Sequence, residues 1–200
     1  MTTLVQTLAA QAATRNVLAS IAAEDCNLAV WERDALTGVD ALIAAKPGNV
    51  RFTAAADEMP VRIAAELDKA GYPARAERDM LADDMANLAQ LYGQIIGSAT
   101  IEVRAELVTT NSCRKWHADY VTARLITTYV GTGTQWLDSE DAARVAQGGE
   151  PEKINTLKAG DVGLFKGRLS PGDPAVHRSP PIANTGEVRL LFVLNPPTGD

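Results

Sequence analysis

The spacing of hydrophobic and polar residues changes near residue 100, from a helical period to the alternation of β-strands. The most regular helical pattern covers residues 74–96 and presents one polar face. Its apolar positions recur at steps of three and four residues: Leu81, Met85, Leu88, Tyr92 and Ile95. This spacing predicts an amphipathic helix that buries one face, and Gly97 supplies the residue that ends it.

The remainder of the first hundred residues predicts mainly helix, interrupted by two short strands. The alanine-rich segment 2–23 carries a ragged apolar face and is predicted to be helical. Capping residues and glycines predict two further helices over 34–43 and 60–71. Short apolar runs predict strands at 27–31 and 50–52.

The second half of the chain predicts a series of short strands. Residues 101–108 alternate as a half-buried antiparallel strand does. Glycine- and proline-rich turns separate the other predicted strands: 119–130, 134–137, 162–166, 176–177 and 188–194. A polar loop with a helical turn is predicted over 138–151. Helices followed by seven or eight strands predict an α+β fold in one domain, a sandwich or jelly-roll barrel, with 1–98 as helical support and 99–197 as the barrel.

Composition narrows the classes of protein that this chain can be. It has 200 residues, 46% of them hydrophobic, and a net charge of −6, which argues against a nucleic-acid surface. Cys26 and Cys113 do not form a metal-binding or disulfide pattern. The N-terminus lacks the basic region of a signal peptide and no apolar run is long enough to cross a membrane, so we expect a cytoplasmic protein.

The candidate chemistry lies in the only two histidines of the chain. In an extended segment, His117 and Asp119 point to the same side, with their backbones roughly 7 Å apart, so both can reach one metal ion. His177 lies in a second strand-like region and can supply a third ligand. The competing interpretation is a structural pair of histidines. Two imidazoles and a carboxylate suit iron, zinc, nickel and cobalt alike.

Arg189 interrupts the apolar strand 188–194. A buried guanidinium must find an anion or it costs several kcal/mol. Glu187, two residues earlier on the same face, is one candidate partner. The other is the carboxylate of a bound substrate, which the planar guanidinium can hold through two hydrogen bonds.

These motifs resemble two groups of proteins. His117-x-Asp119, the Gly-Asp turn leading into Val162–Lys166, then His177 and Arg189, are similar to the iron(II)/2-oxoglutarate-dependent oxygenases of the double-stranded β-helix fold. The prolyl-hydroxylase and phytanoyl-CoA hydroxylase branches are the most similar. At closer range, the segments 113–121, 128–136 and 160–167 resemble a bacterial family catalogued as domain of unknown function 1826.

The oxygenase resemblance covers residues 101–195 and implies a C-terminal double-stranded β-helix, a jelly-roll or cupin-like barrel, buttressed by N-terminal helices. It implies that His117, Asp119 and His177 hold Fe(II), and that Arg189 binds the distal carboxylate of 2-oxoglutarate. Tyr129 shares the parity of the first two and is a candidate to help hold that carboxylate; the competing interpretation of Tyr129 is a core residue.

One position departs from the oxygenase pattern. Many such oxygenases carry Ser or Thr two residues after the arginine, where this chain has Leu191. The alternative function is a cupin-like protein that binds Zn²⁺ or a small ligand without redox turnover. The substrate and the oligomeric state are not indicated by the sequence. Asp83 and Asp84 are expected on a solvated helix face. Arg124 has the parity opposite to Tyr129 and is expected to face a helix or solvent; the alternative is that Arg124 and Lys166 line the mouth of the barrel and attract an anion.

Overall fold

The computed structural model describes residues 8–197, which form a mixed α+β fold around one large sheet. Its helices are α1 (Val39–Ile43), α2 (Met59–Lys69), α3 (Ala76–Ile96) and α4 (Ser139–Ala146), and a 3₁₀ helix spans Arg15–Ala22. Its strands are β1 (Leu8–Ala12), β2 (Cys26–Trp31), β3 (Val50–Ala55), β4 (Thr100–Val108), β5 (Ala123–Val130), β6 (Gln135–Trp136), β7 (Asn155–Thr156), β8 (Val162–Lys166), β9 (His177–Arg178) and β10 (Arg189–Asn195).

Seven strands make the large sheet, in the order β1-β2-β8-β5-β10-β4-β3. The pair β1–β2 is parallel, and the other neighbours run antiparallel. A second sheet has the order β7-β6-β9. A single backbone bridge between His117 and His177 extends the smaller sheet toward the segment before β5.

The two faces of the large sheet bury two separate clusters of apolar side chains. One face packs on α2 and α3, where alternate residues of β10 such as Leu190, Phe192 and Leu194 join the main core. The other face carries a smaller apolar cluster that includes Ile126 and Phe165. Because side chains alternate along a strand, Arg189 and Leu191 belong to this second face.

The structure confirms the helix predicted over 74–96 and the mixed α+β class. It has a strand at each place predicted after residue 100, but the strand predicted over 119–130 begins only at Ala123. The helix predicted over 2–23 is wrong where the structure describes it, because Leu8–Ala12 is a strand and a 3₁₀ helix follows. Residues 2–7 of that prediction lie outside the described residues. The first 98 residues also do more than supply helices, since β1, β2 and β3 all belong to the large sheet.

No helix within residues 8–197 has both the length and the apolar character needed to cross a bilayer.

Candidate metal centre

The structure brings His117, Asp119 and His177 together. Each offers a donor atom, and the three donors lie within 4.8 Å of one another. Two reciprocal backbone hydrogen bonds fix the two histidines: the N–H of His117 donates to His177 O at 3.0 Å, and the N–H of His177 donates to His117 O at 2.9 Å. Sequence-distant histidines thus form one antiparallel pair, and their side chains leave the same side of it.

Hydrogen bonds set the tautomer of both rings. Nδ1 of His117 lies 2.9 Å from the carbonyl oxygen of Lys115, and Nδ1 of His177 lies 3.1 Å from that of Ala175. A carbonyl oxygen can only accept, so Nδ1 carries the proton in each ring. In a neutral imidazole Nε2 then holds a lone pair, which is the state that binds a metal ion.

The carboxylate of Asp119 completes an arrangement that suits a cation. Its Oδ2 lies 3.2 Å from Nε2 of His177 and has no hydrogen-bond partner among the described residues. Oδ1 lies 3.7 Å from Nε2 of His117. A buried carboxylate oxygen without a partner is costly, and a metal ion between these lone pairs would remove that cost. The donor set therefore fits a divalent metal.

The pKa of Asp119 is below its ordinary value. Burial favours the neutral acid, but the interaction with His177 and the positive charge of Arg124 outweigh it. The carboxylate is therefore ionised at neutral pH, as a metal ligand must be.

The segment from Gly160 to Gly167 holds the Asp119 loop in place. At its end, the N–H of Gly167 donates to Thr122 O, and the N–H of Arg168 donates to Asp119 O, each at 2.9 Å. A Cβ on Gly167 would come 2.0 Å from Val121 O and 3.1 Å from Asp119 O. Only glycine permits this close approach, which explains the glycine at the end of the motif.

A pocket opens beside the two histidines. Its walls come from β4, β5 and β10 on the face of the large sheet away from the helices. The lining includes Arg104, Cys113, Arg124, Ser179, Leu191 and the two histidines. Charged and hydroxyl groups thus alternate with aliphatic ones around a space next to the candidate ligands.

Arg189 is fully buried, as expected of an arginine in an apolar strand. Its guanidinium donates to Thr132 O at 2.6 Å, Ser179 Oγ at 3.2 Å and Thr128 Oγ1 at 3.3 Å. None of these partners, within the described part of the chain, is a carboxylate. Burial lowers the pKa of Arg189 to about 10, although the charge of Glu187 opposes this shift. Glu187 itself accepts a hydrogen bond from the N–H of Thr132.

Tyr129 does not share the pocket, contrary to the expected orientation. Its hydroxyl donates to Asp84 Oδ2 at 2.7 Å, and its side chain belongs to the core on the helix side of the sheet. The parity argument failed because a bend at 120–122 separates Asp119 from β5. Alternation can be counted only along an unbroken strand.

Arg124 lines the pocket and pairs with Asp119, in line with the alternative that placed it at the mouth of the barrel and not with the side expected from parity. The solvated position expected for Asp84 is wrong, because Arg33 binds both of its oxygens, at 2.6 and 2.8 Å. The sequence contained no local signal for Thr128 or Ser179, since each meets Arg189 only through the folded sheet.

The chain belongs to the family described as Protein of unknown function (DUF1826), whose model matches residues 12–195. No curated protein matches the sequence.

Several solved structures are similar to the fold at low sequence identity. A prolyl-4-hydroxylase from Pseudomonas putida is 14% identical, with a TM-score of 0.44 over 92% of this chain and 98% of that one. HygX from Streptomyces hygroscopicus, solved with nickel and 2-oxoglutarate bound, is 11% identical, with a TM-score of 0.40 over 92% and 87%. The 2-oxoglutarate-dependent epimerase SnoN from nogalamycin biosynthesis is 14% identical, with a TM-score of 0.43 over 90% and 80%.

Proposed function

We propose that the protein is an Fe(II)- and 2-oxoglutarate-dependent oxygenase, with His117, Asp119 and His177 as the metal ligands. The observation that carries the proposal is the convergence of the Nε2 atoms of two histidines, each with its Nδ1 on a carbonyl oxygen, and one carboxylate oxygen without a hydrogen-bond partner, beside a pocket. Two histidines and one carboxylate with free positions are typical of non-haem iron oxygenases. Fe(II) with 2-oxoglutarate supplies the activation of O₂ for hydroxylation of a C–H bond, with release of succinate and CO₂.

Arg189 supports the use of 2-oxoglutarate. A guanidinium has five N–H donors, and the three hydrogen bonds of Arg189 leave two, one on each terminal nitrogen. All three hydrogen-bond partners of this buried cation are neutral. An incoming carboxylate would stabilise the cation, because it can accept hydrogen bonds from both remaining N–H groups. Ser179 both contacts the guanidinium and lines the pocket, so it connects Arg189 to the space beside the histidines.

The leucine at position 191 is compatible with this role. In the oxygenase pattern, a hydroxyl two residues after the arginine joins in carboxylate binding. Here Leu191 supplies none, but Thr128 and Ser179 bring two hydroxyls to the same guanidinium from β5 and from the residue that follows β9. Thr128 and Ser179 can therefore supply the hydroxyl groups that Leu191 lacks.

The proposal is tested by adding Fe(II) and 2-oxoglutarate to the protein without oxygen, then admitting O₂. We expect a weak visible charge-transfer band in the anaerobic complex and slow release of succinate with O₂. Arg189→Met should lose both at 2-oxoglutarate concentrations that saturate the native protein, while Tyr129→Phe, across the sheet, should keep both. Tight Zn²⁺ binding without the band or succinate would instead favour a metal-binding protein without redox turnover.

A further inference from the structure

A row of polar side chains crosses the pocket face of the large sheet and ends at the metal cluster. Glu102 on β4 is the registered partner of Asn195 on β10. Leu194 pairs with Leu125 on β5, so Asn195 and Arg124 are the next positions along those strands. Successive side chains in such a row are cross-strand neighbours within hydrogen-bonding reach.

Each member of the row is bonded to the next. Arg124 NH1 donates to Asp119 Oδ1, and its Nε donates to Asn195 Oδ1 at 2.7 Å. Asn195 Nδ2 donates to Glu102 Oε2 at 2.8 Å, and Arg51 Nε donates to the other oxygen of Glu102 at 2.8 Å. The row therefore runs from the surface, where the Arg51 side chain is 68% exposed, to the buried carboxylate of Asp119.

The direction of these hydrogen bonds leaves one arrangement for Arg124. Glu102 can only accept, so it orients the amide of Asn195 with the oxygen toward Arg124. That oxygen takes the Nε proton, which fixes the plane of the guanidinium and aims NH1 at Asp119. Burying a polar group costs free energy unless its hydrogen bonds are satisfied. In this row, the hydrogen bonds of Glu102 and Asn195 together hold the Arg124 guanidinium in one orientation.

We propose that Arg124 is the positioning residue that makes Asp119 a ligand through a single oxygen. Arg124 binds Oδ1 of Asp119. The other oxygen, Oδ2, has no hydrogen-bond partner among the described residues and faces Nε2 of His177. Asn195 and Glu102 hold Arg124 in that position. The inference deepens the proposed function, because it takes His117, Asp119 and His177 as the ligands.

The test uses Co²⁺ as a probe, with its dissociation constant and visible absorption spectrum as readouts that need no turnover. Loss of a group that orients a metal ligand costs roughly 10- to 100-fold in metal affinity. We expect a loss in this range for Arg124→Met, with a changed Co²⁺ spectrum because Oδ1 becomes free to coordinate. Asn195→Leu should show a smaller loss. Arg124→Lys, which keeps a donor for Oδ1, should partly restore the native affinity and spectrum.

Arg104→Met is the matched control, because Arg104 also lines the pocket but pairs with Glu106 instead of a candidate ligand. It should bind Co²⁺ as the native protein does. Native affinity and spectrum in folded Arg124→Met, or in Asn195→Leu if Arg124→Met does not fold, would overturn the positioning role alone. Failure of the native protein to bind Co²⁺ would overturn the metal site itself.

Discussion

His117 and His177, separated by sixty residues of sequence, are a hydrogen-bonded antiparallel pair whose ring centroids lie 4.7 Å apart. Each ring is held through both its backbone and its Nδ1 proton. The site is therefore preorganised before any metal ion arrives, and binding does not have to order the ligands.

From this pairing we predict that a divalent metal stabilises the native protein and that a histidine substitution removes the effect. A ligand that binds only the folded state contributes about 2.7 kcal/mol at a concentration 100 times its Kd. The melting temperature of the native protein should rise with added Co²⁺ or Zn²⁺. His117→Gln and His177→Gln should fold but show no such rise, whereas Cys113→Ser, which lies in the same pocket, should respond normally. An unchanged response in either histidine variant would exclude that residue as a ligand.

Arg189→Met should separate co-substrate binding from metal binding. We expect the affinity for 2-oxoglutarate to fall at least 100-fold, because the variant loses the buried cation and its two remaining donors. The affinity for Co²⁺ alone should be unchanged, since Arg189 makes no hydrogen bond to the three candidate ligands. Calorimetric titration of each ligand measures both. Retained 2-oxoglutarate binding would show that another group holds the carboxylate.

Tyr129→Phe should alter stability and leave ligand binding intact. The hydroxyl donates to Asp84, whose carboxylate also binds Arg33, and hydrogen bonds to charged groups contribute about 1.5–3 kcal/mol. We expect a loss of about that size in the free energy of unfolding, measured by urea denaturation. A change in 2-oxoglutarate affinity, with stability retained, would contradict the structure at this residue.

The elements that the sequence predicted are those whose pattern repeats locally. The helix at 74–96 is set by its own apolar spacing, and β10 by its apolar run. By contrast, β1 (Leu8–Ala12) consists mainly of alanines, and it becomes a strand because it pairs with β2 along the sheet edge. The strand propensity of these five residues does not reveal that they pair with β2.

The residues of the candidate site also divide into those that the sequence identifies and those that depend on a partner elsewhere in the sheet. The residues His117, Asp119 and His177 have side chains whose chemistry singles them out, so composition and spacing found them. Thr128, Ser179 and Arg124 are ordinary residue types that gain a role from what lies across the sheet. A single bend after Asp119 was enough to reverse the expected sides of Arg124 and Tyr129.

The stability of the sheet should fall on acidification because of Glu102. Burial alone would raise its pKa, but the hydrogen bonds from Asn195 and Arg51, with the charges of Arg51 and Arg104, lower it below the ordinary value of 4.5. A lowered pKa in the folded state stabilises the protein above pH 4.5, and that contribution is lost as the pH falls through the folded pKa. Urea midpoints between pH 7 and pH 3 should therefore drop less in Glu102→Gln than in the native protein. An equal drop in the two proteins would contradict the assignment.

Gly167→Ala should damage the metal centre without touching a ligand. Its methyl group would meet Val121 O at 2.0 Å, so either the 119–122 loop or the end of β8 must move. Because Arg168 donates to Asp119 O in the same contact, the movement displaces the carboxylate from the histidines. We expect reduced Co²⁺ affinity at 25 °C in protein that remains folded by circular dichroism. Gly48→Ala is the control, since its methyl group would lie an ordinary 3.6 Å from Ala70 O; equal Co²⁺ affinity in both variants would show that the loop tolerates the methyl group and that Gly167 does not fix Asp119.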